Sequence, residues 1–152
     1  MESDNPQIAA VIRRSLEQFN VALPGTVYTD PSTDDLFNLF KMVGSAYWVA
    51  ESEGRVIGGA GIYPTSGLPE GYVELVKLYV DSSFRSKGIG QKLILLCMEK
   101  AHSCGYTNIY LETLPELNRA VSLYERMGFN ILTNSLGNSG HYACSIWAER
   151  EI

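Results

Sequence analysis

A chain of 152 residues, 45% of them hydrophobic and 19% charged, can bury roughly 70% of its unfolded surface around one core, so residues 1–152 are expected to form a single domain. Its net charge of -5 and pI near 5.0 argue against general binding of nucleic acid or anionic membranes and suit a cationic partner such as an amine. The longest apolar run, Leu93 to Met98, is too short to span a bilayer, the start Met1-Glu2-Ser3-Asp4 is not signal-like, and Cys97, Cys104 and Cys144 lack paired spacing; a cytoplasmic location, no membrane contact, no disulfide framework and no metal site are the resulting expectations.

In chain order, Ile8, Val11, Ile12, Ser15, Leu16 and Phe19 recur at helical spacing after Asn5-Pro6 and predict an opening amphipathic helix. Leu23 to Pro31 carries too much punctuation to be helical throughout, and Ser32 or Thr33 can cap a second helix carrying Leu36, Leu39 and Phe40. Ala46 to Ala50 and Arg55 to Tyr63 read as strands joined by a turn at Ser52-Glu53-Gly54, and Gly58, Gly59 and Gly61 leave room for close neighbours. After a loop from Pro64 to Gly71, a strand from Tyr72 to Val80 leads into a helix from about Gly88 to Ser103 whose broad apolar stripe implies burial against a sheet. Thr107 to Glu112 is a further strand. Leu117, Ala120, Val121, Tyr124 and Met127 share one face of a last helix that Gly128 stops, followed by strands at Phe129 to Leu132 and His141 to Ala148. The order is mixed α/β.

The segment Arg85-Ser86-Lys87-Gly88-Ile89-Gly90, between strand and helix, reads as an anion cradle. The first N–H groups of a helix have no intrahelical partner, and the helix dipole favours negative charge there. A Walker loop needs G-x-x-x-x-G-K-[ST], but no glycine stands at the required place before Gly88 and Gly90 is followed by Gln91-Lys92-Leu93, while a Rossmann fingerprint would need a third glycine where Leu93 stands.

Arg-x-x-Gly-x-Gly before a helix resembles the coenzyme A loop of the GNAT family, the GCN5-related N-acetyltransferases. Val73-Glu74-Leu75-Val76-Lys77-Leu78-Tyr79-Val80-Asp81 upstream is similar to that family's central strand. Ala120-Val121-Ser122-Leu123-Tyr124-Glu125-Arg126-Met127-Gly128-Phe129 downstream is similar to its last helix. The resemblance implies a twisted, mostly antiparallel sheet flanked by helices and splayed in a V between its central strands. The family usually opens with a strand, and only a few residues precede Pro6, so that edge strand is expected to be missing or truncated.

The resemblance further implies direct acetyl transfer from acetyl-CoA to an amine of a small molecule or peptide, without an acyl-enzyme or a metal. The backbone of Leu78, Tyr79 and Val80 would hold the pantetheine arm, with a bulge aiming an N–H at the thioester oxygen, while Arg85, Ser86, Lys87, Gly88, Ile89, Gly90 and Gln91 would bind the pyrophosphate. Tyr124 matches the tyrosine that serves as general acid toward the departing thiolate, although its spacing alone would also suit core packing. Glu74 is the candidate base, with an ion pair to Lys77 as the competing reading and Glu112 as the rival base or an anchor for the acceptor's ammonium. Tyr28 and Asp30 are candidate acceptor contacts from the Leu23 to Pro31 loop. Many members carry asparagine where Leu117 stands, and Asn118 lies about 100 degrees further round the helix. His102 and His141 read as surface or loop residues. A homodimer is common for such an architecture, and a non-catalytic acyl-CoA-binding regulatory module is the alternative function.

Overall fold

The computed structural model describes residues 1–152. A short 3-10 turn at Glu2–Asp4 leads straight into helix α1 (Asn5–Gln18), with Pro6 in the first turn, where its missing N–H has no intrahelical role to lose. Ile8, Ala9, Val11, Ile12, Ser15 and Leu16 are its buried face. The second helix is a single turn, α2 (Leu36–Leu39). Neither Ser32 nor Thr33 caps it: Asp30 caps the preceding 3-10 turn at Pro31–Asp34 by accepting from the Ser32 N–H, and Asp35 caps α2 by accepting from the Asn38 N–H. Carboxylates took both places because each stands one residue before its turn begins.

Strands β1 (Ala46–Ser52), β2 (Arg55–Tyr63) and β3 (Tyr72–Val80) form an antiparallel meander. Helix α3 (Ile89–Ser103) then crosses to β4 (Asn108–Thr113), and α4 (Asn118–Arg126), β5 (Asn130–Leu132) and β6 (Ile146–Glu151) complete a six-stranded sheet of order β1-β2-β3-β4-β6-β5. Only β3 and β4 are parallel, and they pair at just three positions: Tyr72 with Asn108, Val73 with Ile109, and Glu74 with Tyr110. Beyond Glu74 the two strands part, which is the expected splay. The sheet's outer edges are β1 and β5, with no strand contributed from before α1.

Two apolar clusters cover the sheet's two faces. On one face, Leu93, Ile94, Cys97, Met98 and Ala101 of α3 and Tyr124 and Met127 of α4 pack on Ala60, Ile62, Val73, Leu75, Ile109, Leu111 and Ala148. On the other, the buried face of α1 packs with Val21, Val27, Leu36, Val56 and Leu114. Each fully buried Leu or Ile contributes about 1.5–3 kcal/mol relative to exposure. The α3 stripe is narrower than its sequence suggests, because Leu95 and Leu96 face solvent. No helix is long and apolar enough to cross a membrane.

The closing strand begins at Ile146, five residues later than the alternation predicts, because residues 141–145 are committed elsewhere. The Ala143 N–H donates to the Gly25 carbonyl, the Cys144 N–H to that of His141, and the Ser145 N–H to that of Thr113. This turn lies over the mouth of the split between β3 and β4.

Candidate active site

The split opens into a cavity of about 690 Å³ bounded by the second half of β3, the 85–91 loop, the start of α3, the end of β4, α4, and one side of α1. Its shape originates in a bulge. In the β2–β3 ladder Gly59 faces Tyr79 and Gly61 faces Val76, so Lys77 and Leu78 together oppose the single residue Ala60. Lys77 takes a left-handed φ of 53°, which no β-branched or bulky neighbour would readily tolerate, and this bends β3 away from β4. Tyr47 fixes the bend by donating its hydroxyl to the Lys77 carbonyl at 3.0 Å. Glycine at position 59 is required for this, since a Cβ there would come within 2.6 Å of the Tyr47 hydroxyl.

At one end of the cavity lies the loop. Ser86 (φ 62°) and Gly88 (φ 77°) both occupy the left-handed region and turn the chain into α3, whose first backbone bond runs from the Lys92 N–H to the Gly88 carbonyl at 3.0 Å. None of the six consecutive amides from Ser86 to Gln91 donates to a carbonyl within the protein. Such a run is an anion-binding nest at a helix N-terminus. A Cβ added to Gly88 would meet nothing within 4 Å, so the space over the loop is open. Arg85 braces this end: its Nε donates to the Val80 carbonyl at 2.8 Å, its Nη2 donates to Ser15 Oγ at 3.1 Å, and its guanidinium stacks over Phe19. Nη1 makes no hydrogen bond within the protein and remains for a ligand. The Lys87 ammonium sits over the Phe84 ring.

The other end is acidic. Glu74 is only 3% exposed, and one of its oxygens accepts from the Thr65 hydroxyl. Burial pushes its carboxyl up to about 7; the Thr65 hydrogen bond opposes this and the nearby Glu112 adds to it. Glu112 accepts from the hydroxyls of Tyr110 at 2.8 Å and Ser139 at 2.6 Å. His141, held by its N–H to Ser139 Oγ, joins the two glutamates so that one donor atom from each lies within 4.8 Å of the others. Its Nε2 is 3.2 Å from Asp30. Burial alone would raise the Asp30 carboxyl, but hydrogen bonds from His141 and Lys77 prevail and hold it well below the usual carboxylate range.

Tyr124 projects from α4 against the edge of Phe129, 5.7 Å between ring centroids. Its hydroxyl makes no hydrogen bond within the protein, and no sealed side-chain polar atom lacks a partner, so the hydroxyl opens on the cavity that Tyr124 lines. Burial raises its pKa well above the ordinary phenol value.

The acetyltransferase (GNAT) family profile matches residues 12–129. The chain belongs to the GNAT family. Membership makes this GNAT chain an acetyl-CoA-dependent N-acyltransferase. It is 41% identical over 150 residues, 98% of this chain and 90% of the other, to the uncharacterized N-acetyltransferase YjgM of Escherichia coli K12. It is 35% identical over 113 residues to human N-acetyltransferase 8, covering 70% of this chain and 50% of that protein, so it spans about half the length of that mammalian relative. Among solved structures, a GNAT acetyltransferase from Staphylococcus aureus Mu50 superposes with TM-score 0.87 at 18% identity, covering 99% of this chain and 94% of that one. The PaiA N-acetyltransferase of Thermoplasma acidophilum, solved with coenzyme A, does so with TM-score 0.74 at 16% identity, covering 99% and 94%. These structural likenesses are likenesses of fold.

Within this GNAT fold the cavity brings together Glu74, Leu78, Tyr79, Val80, Arg85, Ser86, Gly88, Ile89, Gly90, Gln91, Glu112 and Tyr124. Tyr28, Asp30 and Lys87 do not line it. The Tyr28 hydroxyl donates to Glu17 at 2.9 Å, and Asp30 stands behind the wall, holding Lys77 and His141. Glu74 does not pair directly with Lys77, whose Nζ lies 2.8 Å from Asp30 and 3.2 Å from Thr33 Oγ1. Leu117 and Asn118 both border the cavity at the start of α4. The sequence alone does not single out Thr65, which reaches the site from the loop after β2, or Ser139 and His141, which reach it together from the loop before β6. Nor does it show that Lys77 is the bulge residue, for which a lone lysine in an apolar strand is the available signal.

Proposed function

We infer that the protein moves the acetyl group of acetyl-CoA to a primary amine of a small molecule or peptide, both substrates being bound together, with Glu74 as base and Tyr124 as acid. The observation that carries this is the run of six unpartnered amides facing a split sheet. Ser86 to Gln91, with Lys87 and Arg85 Nη1, suit a diphosphate, and the unpaired edge of Val76 to Val80 suits an extended pantetheine arm laid alongside as an added strand. The donor supplies a thioester carbonyl whose C–S bond breaks as the amine nitrogen bonds to carbon.

The chain's own residues manage the protons. An acceptor arrives as an ammonium and must lose a proton before its lone pair can attack. Glu74, with a pKa near 7, takes that proton at neutral pH, directly or through cavity water, and later returns it to solvent. Tyr124 stays protonated at every working pH and gives its proton to the departing sulfur. The second N–H proton of the product nitrogen restores the phenol. The balance is one amide, one thiol and one proton released.

Calorimetry with coenzyme A and acetyl-CoA, followed by thiol release with a panel of amines, tests the reading. Micromolar binding with amine-dependent thiol release is the expected result. Binding without turnover for any amine would leave a regulatory acyl-CoA module, and no binding at millimolar ligand would remove the donor from this site.

A further inference from the structure

The cavity is electrically polarised along its length. Its free cations gather around the loop: Arg119 is near enough to weigh, after burial, against the charge on Arg85, and Arg126 lies beside Gln91 of the first turn of α3, the two lining a second hollow together. At the other end the one ammonium, on Lys77, is spent on Asp30 and Thr33, and the His141 ring rests on the same carboxylate. What remains facing the cavity is acidic, two carboxylates with no cation bonded to either and only the His141 and Lys77 charges nearby. One Glu74 oxygen accepts from Thr65, while the other has no partner in the protein although the residue is 97% buried, and it opens on the cavity. Glu112 is solvated only by two neutral hydroxyls, and each of its oxygens keeps a free lone pair.

Resting on the amine-acetylating reading above, we propose that the acceptor is a small diamine, one nitrogen reacting beside Glu74 while a second, still protonated, is held by Glu112. A carboxylate-bearing acceptor finds no free cation at this end and meets two carboxylates instead, so amino acids are rejected. A simple monoamine leaves Glu112 uncompensated. The glutamate donor atoms lie within 4.8 Å of each other. Adding one hydrogen bond at each end gives nitrogen separations of up to about 10 Å, a range that includes three- to six-carbon spacers.

The test compares 1,4-diaminobutane, butylamine and 4-aminobutanoate in thiol release with acetyl-CoA, and by calorimetry on the coenzyme A complex. The diamine is expected to exceed butylamine in kcat/KM by about tenfold or more, with the amino acid lowest. In Glu112→Gln the ratio of diamine to butylamine, read within one protein, should fall close to one, and so should the ratio of their affinities. Equal rates for diamine and butylamine, or a preference that survives Glu112→Gln, would overturn the proposal. So would loss of the preference on chelator treatment, because a metal ion would then be the ligand of these groups. If no amine turns over yet the diamine binds in a Glu112-dependent way, the clamp stands and the transfer reading fails.

Discussion

The two ends of the cavity are built on opposite principles. The loop end is made from one contiguous stretch, residues 85–91, and its chemistry resides mainly in the main chain. The acidic end is assembled from Thr65, Asp30, Glu74, Glu112, Ser139 and His141, six residues from five separate parts of the chain, and its chemistry resides in side chains. The first is robust to most substitutions and repeatable in any chain with the same turn. The second depends on a network in which each charge is set by its neighbours.

The sharpest way to break the acidic end is to strip Lys77 of its partner. Asp30→Ala leaves an ammonium that is nearly fully buried facing only Thr33, and should cost about 3–5 kcal/mol of stability. For a domain of this size that is a fall in Tm of roughly 6–20 °C, with donor affinity retained in the protein that remains folded. A thermal melt unchanged by the substitution would mean that Lys77 is stabilised by something other than the pair.

Tyr124→Phe comes next. Transfer should slow by roughly ten to a thousandfold while calorimetric affinity for acetyl-CoA stays near its original value. Equal losses in rate and affinity would assign Tyr124 to packing alone.

Glu74 adds a pH signature. Its folded pKa of about 7 is above the ordinary glutamate value, so it binds more protons folded than unfolded between those values. Its stabilising contribution is therefore complete at low pH and lost as pH rises through 7. Glu74→Gln should raise stability at pH 8 by on the order of 2 kcal/mol relative to its effect at pH 4, and should abolish the rising limb of kcat/KM near pH 7. Melts that shift equally at both pH values would contradict a raised carboxyl. The smallest effect is expected at the loop end, where Gly88→Asp introduces bulk and negative charge into the nest and should weaken coenzyme A binding about ten- to a hundredfold with little change in folding. Retained tight binding would move the diphosphate elsewhere.

The same contrast explains what could be read in the chain. Helices, the β1–β3 meander and the 85–91 loop follow from local signals: Pro6, the Gly54 turn, Gly88 before an apolar stripe. The last strand came out late because alternation from His141 onward carries no information about where its N–H groups go, and these serve Gly25 and Thr113 carbonyls far away in sequence. His141 is a loop residue, as its sequence setting suggests, but only folding brings it to Asp30, 111 positions earlier. Loop composition, the only signal pointing to Tyr28 and Asp30, cannot tell a residue facing the cavity from one facing its back.

The three-residue seam between β3 and β4 makes the sheet two half-sheets joined at a narrow hinge line. A strand-like guest lying in the gap would act as the missing rung between them, tying the halves together while occupied and letting them flex when empty. Amide hydrogen exchange in Val76–Val80 would then be a gauge of that occupancy for the whole molecule.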